Sequence, residues 1–211
     1  MVPAVEAGVE IPAEPPDVGA RALSVAARLL CGATTFFFLA YLFAYFYLRS
    51  INVDHMWRPS NVKVDQPLGA AFILCVIISV ALAILSGRHM KREARTWVAP
   101  AAGAVAFGLI AVILQCLEYT AQKFGPTDGA FASVFCAWTG LYLIAILGTM
   151  YWLETQVATE FRARREPAGR NIEGDIKDPD RLIAPGLDAA VFYWSFLGGI
   201  GLITYVTLYL L

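Results

Sequence analysis

The polar pair Gln115 and Glu118 ends a long apolar stretch, where a buried carboxyl group could carry chemistry or hold neighbouring elements together. The two residues are three positions apart, so on a helix they share one face. One interpretation is a polar clamp that ties this helix to a neighbour. The other is an interfacial glutamate that marks the end of the helix. The spacing alone does not separate the two.

Residues that could bind a metal or haem are scarce. The only histidines are His55 and His89, and both lie in polar loops. The four cysteines lie in apolar runs without CxxC spacing, which indicates packing residues; they are Cys31, Cys75, Cys116 and Cys136. Because haem and copper sites in membranes are built mainly from histidine, we expect no metal or redox centre in this chain. The sequence also lacks a nucleotide loop, a nucleophile elbow and an HExxH zinc motif.

The composition predicts an integral membrane protein. Hydrophobic residues make up 58% of the 211 residues, charged residues 16%, and the mean hydropathy is +0.61. A bilayer core is ~30 Å thick, so a spanning helix needs ~20 mostly apolar residues. Five stretches without Asp, Glu, Lys or Arg have this length: 29–48, 68–86, 97–117, 130–153 and 189–211. We therefore predict an all-α bundle of five transmembrane helices. The net charge of −1 gives no indication of a nucleic-acid partner.

The distribution of basic residues predicts the direction of the spans. Twelve of the 16 Lys and Arg residues lie in residues 1–28, 87–96 and 154–188, and the other four lie in the alternate connections. The positive-inside rule therefore predicts a cytoplasmic N-terminus and a C-terminus outside.

Two segments are expected to lie outside the bilayer on the cytoplasmic side. Residues 1–28 are acidic and proline-rich, unlike a signal peptide, and we interpret 1–18 as a flexible tail and 19–28 as a helix lead-in. Residues 154–188 form the longest loop, which we interpret as a solvated linker rather than a patch that binds anionic headgroups.

The last predicted span has the aromatic pattern of an interface anchor. Tyr193 and Trp194 lie near its inner end, and Tyr205 and Tyr209 lie near its outer end. A glycine-rich face of the same span is expected to meet another helix closely. Its glycines are Gly198, Gly199 and Gly201.

The stretch QCLEYTAQKFGPTDGAFASVF resembles subunit III of the haem-copper oxidases in its short, five-helix form. The matching positions are Gln115, Glu118, Tyr119, Phe124, Asp128, Gly129, Ser133 and Phe135, followed by Thr139, Gly140 and Gly148. Weaker matches are the aromatic first span that ends at Arg49, Trp57 and Pro59 in the next loop, and the last span. The resemblance covers about residues 29–211.

The chain departs from this family at several polar positions, as a divergent member would. Thr34 replaces the family's buried glutamate, and Tyr142 and Ala145 replace two histidines. In the last span the family's histidine, aspartate and tryptophan correspond to Ser195, Gly198 and Gly201.

The resemblance implies a non-catalytic subunit III of a cytochrome c oxidase-type enzyme in aerobic respiration, within a bacterial-type plasma membrane. The chain would pack beside subunits I and II, which would hold the haem and copper, and would contact membrane lipids, with bound phospholipid. It would support the stability of the enzyme and its proton-coupled oxygen reduction. The resemblance also implies a structural polar clamp, made of Gln115, Glu118 and Asp128. The candidates for lipid or interface contact are Trp57, Arg49, Tyr193 and Trp194.

Two alternatives remain open from the sequence. One is a subunit-III-like accessory protein of a nitric oxide reductase or a quinol oxidase, because the donor and acceptor are properties of partner chains. The other is a stand-alone transporter, which would need a polar site near the bilayer midplane. The midspan polar side chains are only hydroxyls such as Thr34, Thr35, Ser79 and Thr139.

Overall fold

The chain forms five long helices in a computed structural model that describes residues 16–52, 57–92, 95–165 and 180–211. The helices are α1 (Pro16–Ser50), α2 (Gln66–Lys91), α3 (Val98–Ala121), α4 (Ala130–Arg165) and α5 (Asp180–Tyr205). A short 3₁₀ helix, Arg95–Trp97, precedes α3, and a π-helical turn, Val206–Leu210, continues α5. Each of the five is long and apolar enough to cross a membrane. The prediction of an all-α, five-span membrane bundle is confirmed.

Helix α5 packs against α1, α2 and α4, and its remaining side exposes large apolar residues such as Phe192 and Ile203. The core around it contains the fully buried side chains of Trp138, Tyr142 and Trp194. Helix α1 packs against α5 and α4, and its other side exposes large apolar residues such as Phe36 and Phe43. The outside of the bundle is therefore apolar, as a surface that faces lipid must be.

The connections between α1 and α2 and between α3 and α4 lie together at one end of the bundle, which we call the loop face. Asp65 caps α2 by accepting a hydrogen bond from the Leu68 N–H at 3.1 Å. The backbone N–H of Phe131, at the start of α4, donates to the Trp57 carbonyl at 3.0 Å. This bond fixes one connection against the other.

The helices extend beyond the predicted spans. Helix α4 continues to Arg165 and α5 begins at Asp180, so the predicted loop 154–188 is helical at both ends. Residues 154–165 are rich in Glu, Gln, Ala and Arg, which favour a helix without being apolar. Helix α1 begins at Pro16, inside the predicted tail. Residues 1–15 and 166–179, on which the rest of these predictions fall, lie outside the described residues.

Candidate functional site

Gln115 and Glu118 lie on the last turns of α3 and face the bundle interior, with exposed fractions of 2% and 1%. Their three-residue spacing places them on one helix face, and the Gln115 Nε2 donates to the Glu118 Oε2 at 2.9 Å. The pair is buried in protein, which favours a clamp over a glutamate that only marks the end of the helix.

The interhelical partner of Glu118 comes from the π-helical turn after α5. The Tyr209 hydroxyl donates to the Glu118 Oε2 at 2.6 Å. The Tyr209 carbonyl accepts a hydrogen bond from the Gln66 Nε2 at 3.0 Å, and its ring lies directly over Gly69 in the first turns of α2. Helices α2 and α3 and the end of α5 therefore meet here. We call Gln115, Glu118 and Tyr209 the Glu118 cluster.

The hydrogen bonds of the Glu118 cluster join α3 to the turn that follows α5. Its carboxyl Oε2 receives two donors, whereas the buried Oε1 has no hydrogen-bond partner within the described residues. Across the same part of the chain, His, Cys, Asp and Glu side chains form no group of three or more that could hold a metal ion. The cluster thus offers a carboxyl, a phenol and an amide that bind one another.

Asp128, the predicted third member of the clamp, lies elsewhere. Its Oδ2 accepts a hydrogen bond from the Gly125 N–H at 2.7 Å, and its own N–H donates to the Gly125 carbonyl at 3.1 Å. The following Gly129 has a φ of 134°, a conformation that favours glycine. An aspartate in such a turn satisfies a local backbone N–H. Asp128 therefore closes the turn before α4 and is exposed, which corrects its assignment to the clamp.

Tyr193 and Trp194, two of the predicted lipid-contact residues, are buried inside the chain, with exposed fractions of 5% and 0%. The Tyr193 hydroxyl shares a hydrogen bond with the Thr34 hydroxyl at 2.9 Å, and the Trp194 Nε1 donates to the Ser79 hydroxyl at 3.0 Å. At these two positions the side chains of α5 contact α1 and α2 and do not face the outside of the bundle. Their prediction as lipid contacts is corrected accordingly.

The other two candidates for lipid or interface contact differ from each other. Trp57 is 8% exposed and packs edge-on against Tyr45 and Phe131, with ring centroids 5.2 and 5.7 Å away, so it fills the interior of the loop face. Arg49 is exposed, and its Nη1 donates to the Tyr45 hydroxyl at 3.3 Å. Of the four candidates, Arg49 alone remains on the surface.

At Thr34 and Tyr142, where the family that the sequence resembles has ionisable residues, this chain has neutral side chains that form hydrogen bonds. Thr34 pairs with Tyr193 as described, and the Tyr142 hydroxyl donates to the Leu197 carbonyl at 2.8 Å. The Tyr142 hydroxyl also lies against Gly201, in the space that a Cβ would fill. The large phenol in α4 and the small residue in α5 are thus complementary in shape.

Tyr209 and Ser79 take part in these contacts but are not predicted as site residues. The aromatic pattern of the last span indicates only an interface position for Tyr209, and its contact with Glu118 depends on the π-helical turn. For Ser79 the available signal is a hydroxyl in the middle of an apolar run, which must find a partner within the bundle. The Ser79 hydroxyl donates to the Ala104 carbonyl of α3 at 2.5 Å and accepts from the Trp194 Nε1, which is 115 residues away in sequence.

Comparisons with known proteins agree with the resemblance. The sequence model for "Cytochrome c oxidase subunit III" matches residues 18–167. Cytochrome c oxidase subunit 3 of Pyricularia grisea is 24% identical over 196 residues, which cover 90% of this chain and 67% of that protein. A probable cytochrome c oxidase subunit 3 of Rickettsia prowazekii is 25% identical over 160 residues (74% and 53%). The protein of Pylaiella littoralis is 25% identical over 187 residues (82% and 61%). The chain spans between about a half and two thirds of the length of these relatives.

Proposed function

Because the chain belongs to the cytochrome c oxidase subunit III family, we propose that it acts as the non-catalytic subunit III of a haem-copper terminal oxidase. In this role it packs beside subunit I, together with subunit II, and supports the stability and the proton-coupled oxygen reduction of the enzyme. The observation that carries the proposal is the family match over residues 18–167, which covers the membrane helices α1 to α4.

The residues of the chain support a structural role. Only two histidines occur in the sequence, and His89 lies at the exposed end of α2, where its Nδ1 pairs with the Thr96 hydroxyl at 3.0 Å. Several buried polar side chains bind one another across helices, among them Glu118 with Tyr209 and Trp194 with Ser79. We infer that haem, copper and the reaction with oxygen belong to the partner subunits, while this chain supplies a rigid bundle beside them.

Purification of the tagged chain from its native membranes in a mild detergent tests this role. We expect copurification of a haem-bearing complex, identified by its visible spectrum, by its copper content and by mass spectrometry of its subunits. Reduced cytochrome c, a quinol and nitric oxide, offered in separate assays, distinguish a cytochrome c oxidase from the accessory proteins of a quinol oxidase or a nitric oxide reductase. A chain that purifies alone and transports a solute in liposomes would instead be a stand-alone transporter.

We further propose that the chain lies in a bacterial-type plasma membrane with its N-terminus in the cytoplasm. The twelve-to-four distribution of Lys and Arg supports this direction. Alkaline phosphatase fused after Leu211 is expected to be active, because the enzyme folds only outside the cytoplasm, whereas a fusion after Arg92 is expected to be inactive. The opposite pattern of activity would reverse the direction of all five spans.

A further inference from the structure

A cavity of about 410 Å³ opens at the end of the bundle opposite the loop face, where α1 and α5 begin and α2 ends. We call it the Arg28 cavity. Its lining includes Ser24 and Arg28 of α1, Lys91 in the last turn of α2, and Asp188 of α5. Helix α1 packs against α4 and α5, and the cavity lies between α1 and the end of α2. A segment that filled it would contact three helices at once.

One cation of the Arg28 cavity has no partner. The Lys91 Nζ lies 3.3 Å from the Asp188 Oδ2, so these two charges neutralise each other. The Arg28 side chain is exposed, and within the described residues it forms neither a hydrogen bond nor an ion pair. The cavity therefore keeps one net positive charge, which an acidic occupant would neutralise.

The end of α2, next to the cavity, adds further positive charge. Arg88 and Arg92 are exposed there, three residues before Lys91 and one residue after it. Over the part of the chain that the structure describes, neither side chain has an ion pair. A guanidinium group binds a carboxylate through two parallel hydrogen bonds, so this end of the bundle favours a segment with several carboxylates.

An acidic segment of this chain is attached close to the cavity. Residues 1–15 contain Glu6, Glu10 and Glu14 at four-residue intervals and no lysine or arginine. The segment is joined to α1 at Pro16, and a short covalent connection gives an effective concentration of roughly millimolar. A separate acidic ligand would have to match that concentration. Residues 1–15 are therefore the favoured occupant.

The length of this segment matches the distance to the cavity. Pro16 and Arg28 are twelve residues apart on α1, which is ~18 Å along a helix. An extended chain advances ~3.3 Å per residue, so about six residues cover that distance. Counted back from Pro16, the sixth residue is Glu10. Glu6, about 13 Å further along the chain, is then within range of the end of α2.

We propose that residues 1–15 dock in the Arg28 cavity, with the Glu10 carboxylate on the Arg28 guanidinium and Glu6 towards the basic end of α2. The docked segment covers the cavity and joins the start of α1 to the end of α2. Its contacts are charge-assisted hydrogen bonds, which are the stronger class of such bonds. This docking does not depend on the proposed role in an oxidase.

Carbodiimide cross-linking of the purified full-length protein, kept in its complex where one copurifies, tests the docking. A water-soluble carbodiimide forms an amide bond between a carboxylate and an ammonium group that are in contact. Arg28→Lys keeps the charge and places such an ammonium group in the cavity. We expect mass spectrometry of the digested variant to show position 28 joined to Glu10 or Glu6. The Lys91–Asp188 pair should cross-link in every sample, which shows that the fold is retained.

Arg162→Lys is the matched control, because Arg162 is exposed at the same end of the bundle, on α4, but does not line the cavity. The lysine at position 162 is expected to join the acidic segment in a several times lower yield. Equal yields at the two positions would overturn the docking, as would the absence of a cross-link at position 28 when Lys91 and Asp188 are joined.

Other occupants of the Arg28 cavity would give different products. Position 28 joined to a partner polypeptide, with residues 1–15 unlinked, would overturn the docking in favour of an acidic segment of that partner. A phospholipid that the wild type retains in native mass spectrometry and Arg28→Gln loses, again with residues 1–15 unlinked, would overturn it in favour of a headgroup.

A protease that cleaves after glutamate measures how firmly the segment is held. We expect Arg28→Gln to be cut after Glu10 about two- to fivefold faster than the wild type, which is the range that one exposed ion pair supports. Arg162→Gln should be cut at the wild-type rate. High salt screens exposed charges, so it should raise the wild-type rate towards that of Arg28→Gln. Equal rates for the wild type and Arg28→Gln at low salt would mean that Arg28 does not hold the segment.

Discussion

Replacing Glu118 by alanine is expected to destabilise the bundle by about 1 to 3 kcal/mol and to weaken its retention in a complex during detergent extraction. The change removes the acceptor of two hydrogen bonds, from the Gln115 Nε2 and from the Tyr209 hydroxyl. Both donors would stay buried in an apolar interior, and Tyr209 would no longer hold the end of α5 to α3. The free energy of unfolding in mixed micelles, titrated with a denaturing detergent, measures the effect.

Two further variants show whether the loss comes from the interhelical bond. Glu118→Gln keeps a side-chain oxygen that can accept from Tyr209, so we expect less than half of the alanine effect. In a double-mutant cycle, Glu118→Ala and Tyr209→Phe should share a coupling free energy of about 0.6 to 1.7 kcal/mol. Additive effects of the two substitutions would mean that the contact at 2.6 Å contributes nothing to stability.

The sequence predicts the five spans because an apolar run of membrane length allows few other structures. It does not predict where the helices end. Residues 154–165 are helical but polar, so hydropathy marks them as loop, although nothing in their composition opposes a helix. Residues 180–188 are helical although they include Pro185 and Gly186, which disfavour a helix interior and so favour a loop at this position. Hydropathy reports the part of a helix immersed in lipid, whereas backbone hydrogen bonding continues beyond it.

The contacts of the candidate site are also only partly predictable from the sequence. The Gln115–Glu118 contact follows from a local three-residue spacing, but the contact of Glu118 with Tyr209 depends on the packing of α5 and on its π-helical turn. Trp194 is a residue type typical of interface anchors, yet it is fully buried because it lies on the side of α5 that packs against α2, where it bonds Ser79. When every face of a helix is apolar, the sequence does not reveal which face meets lipid.

Replacing Gly201 by alanine is expected to destabilise the bundle by about 1 to 3 kcal/mol through overpacking. A Cβ at this position would overlap the Tyr142 hydroxyl and lie 3.2 Å from the Ile73 Cδ1. Helices α5 and α4 would have to separate locally, or the phenol would have to leave its site. The same detergent titration of unfolding measures the loss.

Tyr142 cannot easily move away from a new methyl group. Its hydroxyl donates to the Leu197 carbonyl at 2.8 Å, and its ring packs edge-on against Phe38 and Phe72, with centroids 5.8 and 5.9 Å away. The side chain is 1% exposed, so no solvent-filled space is next to it. A rotation would break a buried hydrogen bond as well as two aromatic contacts.

Gly199→Ala separates overpacking from the general effect of alanine in a helix. A Cβ at Gly199 would meet nothing within 4 Å, and alanine favours a helix over glycine by up to ~1 kcal/mol, so this variant should be as stable as the wild type or more so. Tyr142→Phe removes the hydroxyl that the new methyl group would overlap. The Tyr142→Phe/Gly201→Ala variant should therefore lose less stability than the sum of its two substitutions. If Gly201→Ala behaves like Gly199→Ala, the close fit between α4 and α5 does not contribute to the stability of the bundle.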